Sequence, residues 1–247
     1  ELISTGGAIT LTGTSGPSSV DLELKEVTIH SAGGAADIAG EVDLTNSLQI
    51  DSTDPGSDGG ITFAKEIEGA GKLTLDAGAG AIDLQSAVGG TTALGDLTVA
   101  SGGTLKLPSV TTTGTQSYSV TGNLTLGGDL TTAGGDLTLS SATTLSGGAR
   151  TLSTGTGGGA ITFADTLDGG EALTLSAGTG AIDLQGALGG NTDLTSLTVA
   201  SGGTLNLPSV TTTGAQSYSV TGTLTLGGNL TTSGGDLTLS SATTLSE

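Results

Sequence analysis

Apolar residues alternate with polar ones in short runs: Ile161-Thr162-Phe163, Leu173-Thr174-Leu175, Ile182-Asp183-Leu184, Leu197-Thr198-Val199, Leu205-Asn206-Leu207, Tyr218-Ser219-Val220, Leu224-Thr225-Leu226 and Leu237-Thr238-Leu239. Alternate side chains of an extended chain point to opposite faces, so each run predicts a short strand with one apolar face. Gly, Ser or Asn bounds every run. Helix is disfavoured, because Gly recurs every few residues and costs about 1 kcal/mol relative to Ala in a helix interior.

The runs are regularly spaced. Those starting at Ile182, Leu205 and Leu224 lie 23 and 19 residues apart, and those at Leu197, Tyr218 and Leu237 lie 21 and 19 apart. A coil of roughly 20 residues follows. Strands that recur once per coil pair in parallel with those above and below. The predicted fold is all-β, a right-handed parallel β-helix (β-solenoid) of roughly twelve coils, about 60 Å long at about 4.8 Å per coil. An antiparallel sandwich is the competing fold for short strands with turn signals, but it gives no reason for the repeat described next.

Residues 61 to 147 recur without change of spacing as residues 161 to 247, with roughly three quarters of the positions identical. Leu107-Pro108-Ser109-Val110 returns as Leu207-Pro208-Ser209-Val210, whereas Lys106 becomes Asn206 and Asn123 becomes Thr223 between retained leucines. The retained positions read as core and the varied ones as solvent-facing. Three segments of one continuous solenoid are expected: a divergent, shortened repeat at 1–60, a first 100-residue unit at 61–160 and a truncated second unit at 161–247. In the first segment, Gly7-Ala8-Ile9-Thr10-Leu11 resembles Gly159-Ala160-Ile161-Thr162-Phe163, and Val20-Asp21-Leu22-Glu23-Leu24 alternates. With no charged closing coil at either end, the chain reads as a slice of a longer array or as a subunit that stacks end to end.

Composition narrows the partners. Two Phe, two Tyr, no Trp and no Met leave the core to Leu, Ile, Val and Ala. A formal charge of −19 opposes phosphate backbones and anionic lipid, so neither nucleic acid nor membrane insertion is expected. No apolar run approaches the roughly 20 residues of a membrane span, and Glu1-Leu2-Ile3-Ser4 lacks a signal-peptide start. The absence of cysteine removes disulfides and thiolate metal sites.

The stretch Thr112-Thr113-Gly114-Thr115-Gln116-Ser117-Tyr118-Ser119-Val120, with Leu124-Thr125-Leu126-Gly127-Gly128-Asp129-Leu130-Thr131-Thr132 after it, recurs at 212–232. It resembles the Thr-Thr-Gly-x-Gln-x-Tyr segments of filamentous-haemagglutinin-like bacterial exoproteins, large adhesins with β-helical rods. The resemblance implies secretion through a partner transporter to the bacterial cell surface. It also implies a role in adhesion, biofilm or extracellular matrix.

No catalytic, cofactor-binding or metal site is expected. His30 is the only histidine and has no evident triad partner in the sequence. A carbohydrate-active β-helix, lyase or hydrolase, would need paired carboxylates beside a sugar cleft. Asp83 and Asp183 face outward but fall about five coils, roughly 24 Å, apart, and Asp136 and Asp236 share that problem. Tyr118, Tyr218, Phe63 and Phe163 alternate in phase with apolar neighbours and read as packing residues. The loop Asp51 to Gly60 carries acids at its first, fourth and eighth positions, which departs from the calcium-loop pattern. Asn123-Leu124-Thr125 and Asn229-Leu230-Thr231 are glycosylation sequons in strand-like surroundings. Outward threonines such as Thr223 and Thr225 would suit ice binding only on a ladder in register, which coils of 19 to 24 residues are expected to break.

The function predicted is a structural stalk or fibre shaft of a secreted adhesin or matrix protein. An end-to-end polymerising matrix subunit, a carbohydrate-active enzyme and an ice-binding solenoid are the alternatives. Neighbouring repeats, copies of the chain itself and surface glycans are the partners expected.

Overall fold

Every described pairing between strands is parallel, which removes the sandwich and establishes a β-solenoid. The computed structural model describes residues 2–3, 9–11 and 27–246. The alternating run Val20 to Leu24, and Gly7 and Ala8, lie outside these residues. Among the described residues there is no helix. The chain forms two compact units, Glu1–Leu124 and Thr125–Glu247, with about ten turns in all.

In the first unit, one row of paired strands runs through Leu2–Ile3, Val27–His30, Leu48–Asp51, Leu73–Asp76, Leu97–Ser101 and Gln116–Tyr118. A second passes through Ile9–Leu11, Ala36–Ile38, Ile61–Phe63, Ile82–Leu84 and Leu105–Leu107. A third is shorter: Val42–Asp43 pairs Ile67–Glu68, and single bridges carry it through Val88 to Val110. Each coil therefore has three strand-bearing sides.

Register explains why these rows hold. Ile50 pairs with Leu75 and Leu75 with Val99, so the inward side chains form a continuous column. All three are 1% exposed or less. A one-residue slip would turn that column to solvent, so burial itself selects the alignment.

Three rows recur in the second unit. One contains Leu130–Thr132, Arg150–Ser153, Ala172–Ser176, Ser196–Ser201, Gln216–Tyr218 and Leu237–Leu239. Another contains Leu137–Leu139, Ile161–Phe163, Ile182–Leu184, Leu205–Leu207, Thr223–Leu226 and Ala242–Leu245. The third runs through Thr143–Leu145, Leu167–Asp168, Leu188, Val210–Thr212 and Leu230–Thr232. Leu137 and Leu237 are equivalent in the repeat yet occupy different rows. The same holds for Leu130 and Leu230, so one copy of the repeat is not a whole number of turns.

Coil length varies while register does not. Residues paired between strands of successive coils lie as few as 19 apart, at Val99 and Tyr118, and as many as 27 apart, at Ile9 and Ala36. The extra residues are absorbed at corners, where backbones pass closely. Gly89 and its equivalent Gly189 both have φ of +68°, and a Cβ there would overlap the carbonyl oxygen of Thr111 or Thr211.

One strand departs from the sequence reading. The alternation Tyr218-Ser219-Val220 predicts a strand starting at Tyr218, but the strand is Gln216–Tyr218. Gln216 occupies the inward position between Leu197 and Leu237. A buried amide is tolerated there because its neighbours hydrogen-bond it. Tyr218 Oη donates to Gln216 Oε1 at 2.8 Å, and Gln216 Nε2 donates to Thr212 Oγ1, the Val210 carbonyl and the Thr231 carbonyl at 3.2, 3.4 and 2.8 Å. The first copy repeats this with Tyr118, Gln116, Thr112 and Val110. An unpaired buried polar group would cost about 1–3 kcal/mol, and no buried side-chain N or O among the described residues lacks a partner.

Candidate functional site

The inward columns are closed, so chemistry is left to the outward positions. Tyr118 and Tyr218 are fully buried, as are Phe63 and Phe163 at 1% exposure. They pack the core, as their phase predicts, and burial pushes both phenols above their ordinary pKa. The Thr-Thr-Gly-x-Gln-x-Tyr stretch is thus an internal hydrogen-bond device. Thr112 and Thr212 complete it by donating their hydroxyls to the carbonyls of Gly114 and Gly214.

His30 lies at the coil surface beside one carboxylate. It pairs in register with Asp51 one coil on, and its Nδ1 lies 3.2 Å from Asp51 Oδ2. Thr53 donates its backbone N–H and its hydroxyl to the other carboxylate oxygen at 2.9 and 2.7 Å. Burial opposes the charge on Asp51. The bonds from Thr53 and the nearby imidazole outweigh it, holding the carboxyl below its usual range. Sequence spacing could not pair these two residues, because their adjacency comes from coil length. The geometry orients an imidazole on a carboxylate at a half-exposed coil surface.

The acidic loop is occupied with its own backbone. Asp58 accepts from the Asp54 N–H at 3.2 Å and from the Ala79 N–H of the next coil at 2.8 Å. Among the described residues no group of three or more His, Asp or Glu is placed to hold a metal ion.

A shallow groove of ≈ 300 Å³ is lined by Glu41, Val42, Asp43, Glu66, Glu68, Thr91 and Thr92. Sequence reasoning missed it, although Glu66 and Glu68 flank inward Ile67 just as Glu41 and Asp43 flank Val42. The pairing of Val42 with Ile67 and of Asp43 with Glu68 brings these acids onto adjacent coils. Glu68 caps a turn, accepting the N–H groups of Thr91 and Thr92. In the second copy, Asp168 accepts the N–H groups of Asn191 and Thr192 and the Asn191 amide at 2.8, 3.1 and 3.0 Å. These bonds offset the burial of Asp168 and hold its carboxyl below the ordinary range. Both carboxylates fasten one coil to the next.

The remaining carboxylates behave similarly. Asp83 lies 3.7 Å from Lys106 Nζ, and at the matching place Asn206 Nδ2 donates to Asp183 at 3.1 Å. Asp136 accepts the Ala160 N–H at 2.8 Å, and Asp236 is exposed. Lys72 hydrogen-bonds Asp96 at 2.6 Å and lowers its pKa against a smaller opposing effect of burial. Asn123 and Asn229 of the sequons are exposed, each immediately before a strand.

Uneven coils predict broken threonine ladders, and here the structure corrects the expectation. Thr151, Thr174, Thr198, Ser217 and Thr238 pair successively in register. Thr225 likewise stands between Asn206 and Thr244. Corners take up the length differences, so the strands need not.

Taken together, fold and surface define a repeat protein of the β-solenoid class. No family model, curated protein or solved structure matches the chain.

Proposed function

We infer that the chain is a stalk or fibre shaft of a secreted bacterial surface adhesin or extracellular matrix protein. On this reading it is a right-handed solenoid of about 20 residues per coil, built from 100-residue units. The observation that carries the reading is the contrast between inward and outward positions. Inward columns are continuous in each unit, whereas several outward residues change from copy to copy without loss of pairing, as Lys106 and Asn206 do. A chain conserved for a surface reaction would hold its outward residues and vary elsewhere.

The mechanism is mechanical. Within each unit, parallel backbone hydrogen bonds join successive coils of the described residues, and an aliphatic core backs most strands, so extension must break both together. The net charge of −19 keeps neighbouring shafts apart. The likeness of residues 112–132 and 212–232 to filamentous-haemagglutinin-like exoproteins supports placement at the cell surface. There the shaft would hold a glycan- or protein-binding tip away from the membrane.

Pulling single chains by their ends tests this. Force peaks that recur coil by coil are expected, and extension like that of an unstructured polymer would refute it. Turnover of any member of a polysaccharide panel, abolished by Asp51→Asn or Glu66→Gln, would replace the shaft with an enzyme.

A further inference from the structure

On one side of the second unit the outward side chains form two columns of hydroxyls. Thr151, Thr174, Thr198 and Ser217 pair successively in register, and beside them Ser153, Ser176 and Ser201 do the same. A register shift after Leu175 sets Ser201 rather than Ala200 opposite Ser176, so the second column keeps its hydroxyls. In the first unit the matching columns are Thr74, Thr98 and Ser117 beside Asp76 and Ser101, with His30 and Asp51 on the coils before.

The second unit's face is free of charge. Ala172–Ser176, Ser196–Ser201 and Gln216–Tyr218 carry no charged residue, in a chain with 24 acids and five bases. Arg150, at the start of the neighbouring strand, turns its guanidinium to the carbonyls of Ser146 and Ala149. The hydroxyls of the face also differ in use from those at the corners. Thr154, Thr195, Thr213 and Thr221 donate to carbonyls of the chain. Among the described residues, by contrast, no group of the chain bonds the hydroxyl of Thr151, Thr174, Thr198 or Ser217. The second column is held in place: Ser176 Oγ and Ser201 Oγ lie 2.9 Å apart, and the N–H groups of Gly155 and Gly178 donate to Ser153 and Ser201.

We propose that this hydroxyl face of the second unit binds ice. Rungs of a parallel sheet stand about 4.8 Å apart and alternate residues of a strand about 6.7 Å apart, and the oxygens of ice repeat at spacings close to both. A single hydroxyl gains little by exchanging one water for another. A fixed array differs, because many waters of one lattice bond it together and little freedom is lost on binding. Threonine supplies that rigidity: its branched Cβ restricts χ1, and it sets a methyl beside each hydroxyl. A carboxylate in the array, such as Asp76 in the first unit, instead holds water in its own hydration shell. A sugar polymer suits the face less well than ice, since no aromatic platform is available: Phe63, Phe163, Tyr118 and Tyr218 are the chain's only aromatic residues and all are buried. Ice binding goes beyond the shaft reading and does not depend on it.

Ice growth in solutions of the 247-residue chain provides the test, read as the shape of single crystals and the rate of recrystallisation in a frozen film. Wild type should give faceted crystals and slow recrystallisation relative to an equal mass of an unrelated acidic protein. Thr198→Lys sets a charge in the middle of the array and should abolish both effects. The fold tolerates a lysine at such a position, since Lys106 already stands outward between buried leucines, and an unchanged denaturation midpoint verifies it. Thr98→Lys makes the same change at the equivalent position of the first unit and should leave both effects intact. Round crystals and ordinary recrystallisation with wild type would overturn the proposal, as would a Thr198→Lys variant as active as wild type. Equal losses in Thr98→Lys and Thr198→Lys would overturn the assignment to the second unit's face. Retention on an insoluble polysaccharide, lost in Thr198→Lys with no effect on ice, would give the face to a sugar instead. Thr198→Lys pulled by its ends should still show coil-by-coil force peaks, so the ice and shaft readings fail separately.

Discussion

The row of Val27–His30 in the first unit and the row of Arg150–Ser153 in the second share an inner face and differ on the outer one. Inward, Ile29, Ile50, Leu75, Val99 and Tyr118 form one column, and Leu152, Leu175, Val199 and Tyr218 form the other. Outward, the first unit aligns His30, Asp51, Asp76 and Ser101, whereas the second aligns Ser153, Ser176 and Ser201. Two aspartates on adjacent coils should repel. They are accommodated because His30 and Thr53 bind one and the Ser101 hydroxyl binds the other. The core constrains the inner residues by volume and polarity, while the outer residues need only a local hydrogen-bonding solution.

The largest expected break comes from crossing that division. Leu175→Ala removes a side chain that is 0% exposed, and a loss of about 2–5 kcal/mol is expected in chemical denaturation. Ser176→Ala, one residue away and outward, should stay within about 0.5 kcal/mol of wild type. Equal effects would mean that the two faces are not energetically distinct.

The buried polar network sharpens the comparison from inside. Tyr218→Phe leaves Gln216 Oε1 without the hydroxyl that donates to it at 2.8 Å, and about 1–3 kcal/mol should be lost. Adding Gln216→Leu removes the orphaned amide, so the double variant should recover part of that loss. A double variant worse by the full sum of the two single effects would show that the pair is not coupled.

The sequence's legibility follows the same division. Alternation at Ile182-Asp183-Leu184 and Leu205-Asn206-Leu207 reveals strand, inner face and parallel stacking, because burial imposes a period of two on the residues themselves. Gln216 escapes that reading, since a lone glutamine looks outward until Tyr218 and Thr212 are known to surround it. The third row escapes too: Val110–Thr112 puts a threonine, Thr112, in the second buried position, and Leu167–Asp168 is only two residues long, so neither shows an apolar alternation. The pairing of His30 with Asp51 and the groove around Glu66 depend on which coil lies above which. Coil length is set at the corners, where composition leaves no periodic trace.

Acid should separate the two rows by a smaller amount. The carboxyl of Asp51 has its pKa lowered in the folded chain, so on acidification the unfolded chain binds the proton first. Its stabilisation is complete above the unfolded value of about 3.9 and fades as pH falls through the lower folded value. Denaturation midpoints measured between neutral pH and about pH 3 should therefore fall less in Asp51→Asn than in wild type. The difference should be on the order of 0.5 kcal/mol, because the site is partly solvated. Ser176→Ala, in the equivalent column of the second unit, should leave the acid profile unchanged. An Asp51→Asn profile identical to wild type would indicate that the bonds from Thr53 and His30 contribute nothing to folding.

The smallest effect is expected where the repeat has already made the exchange. Lys106 and Asn206 occupy the same outward position between buried leucines and reach Asp83 and Asp183 respectively, at 3.7 and 3.1 Å. The lysine side chain is 69% exposed, so its ion pair is well screened. Lys106→Asn should give the first copy the contact of the second and shift stability by no more than about 0.5 kcal/mol, measured by the same denaturation. Lys106→Leu should be equally well tolerated by the fold, since nothing packs against that position from outside. A loss above about 2 kcal/mol in either variant would show that outward residues carry the architecture after all, and the freedom inferred from comparing the two rows would fail with it.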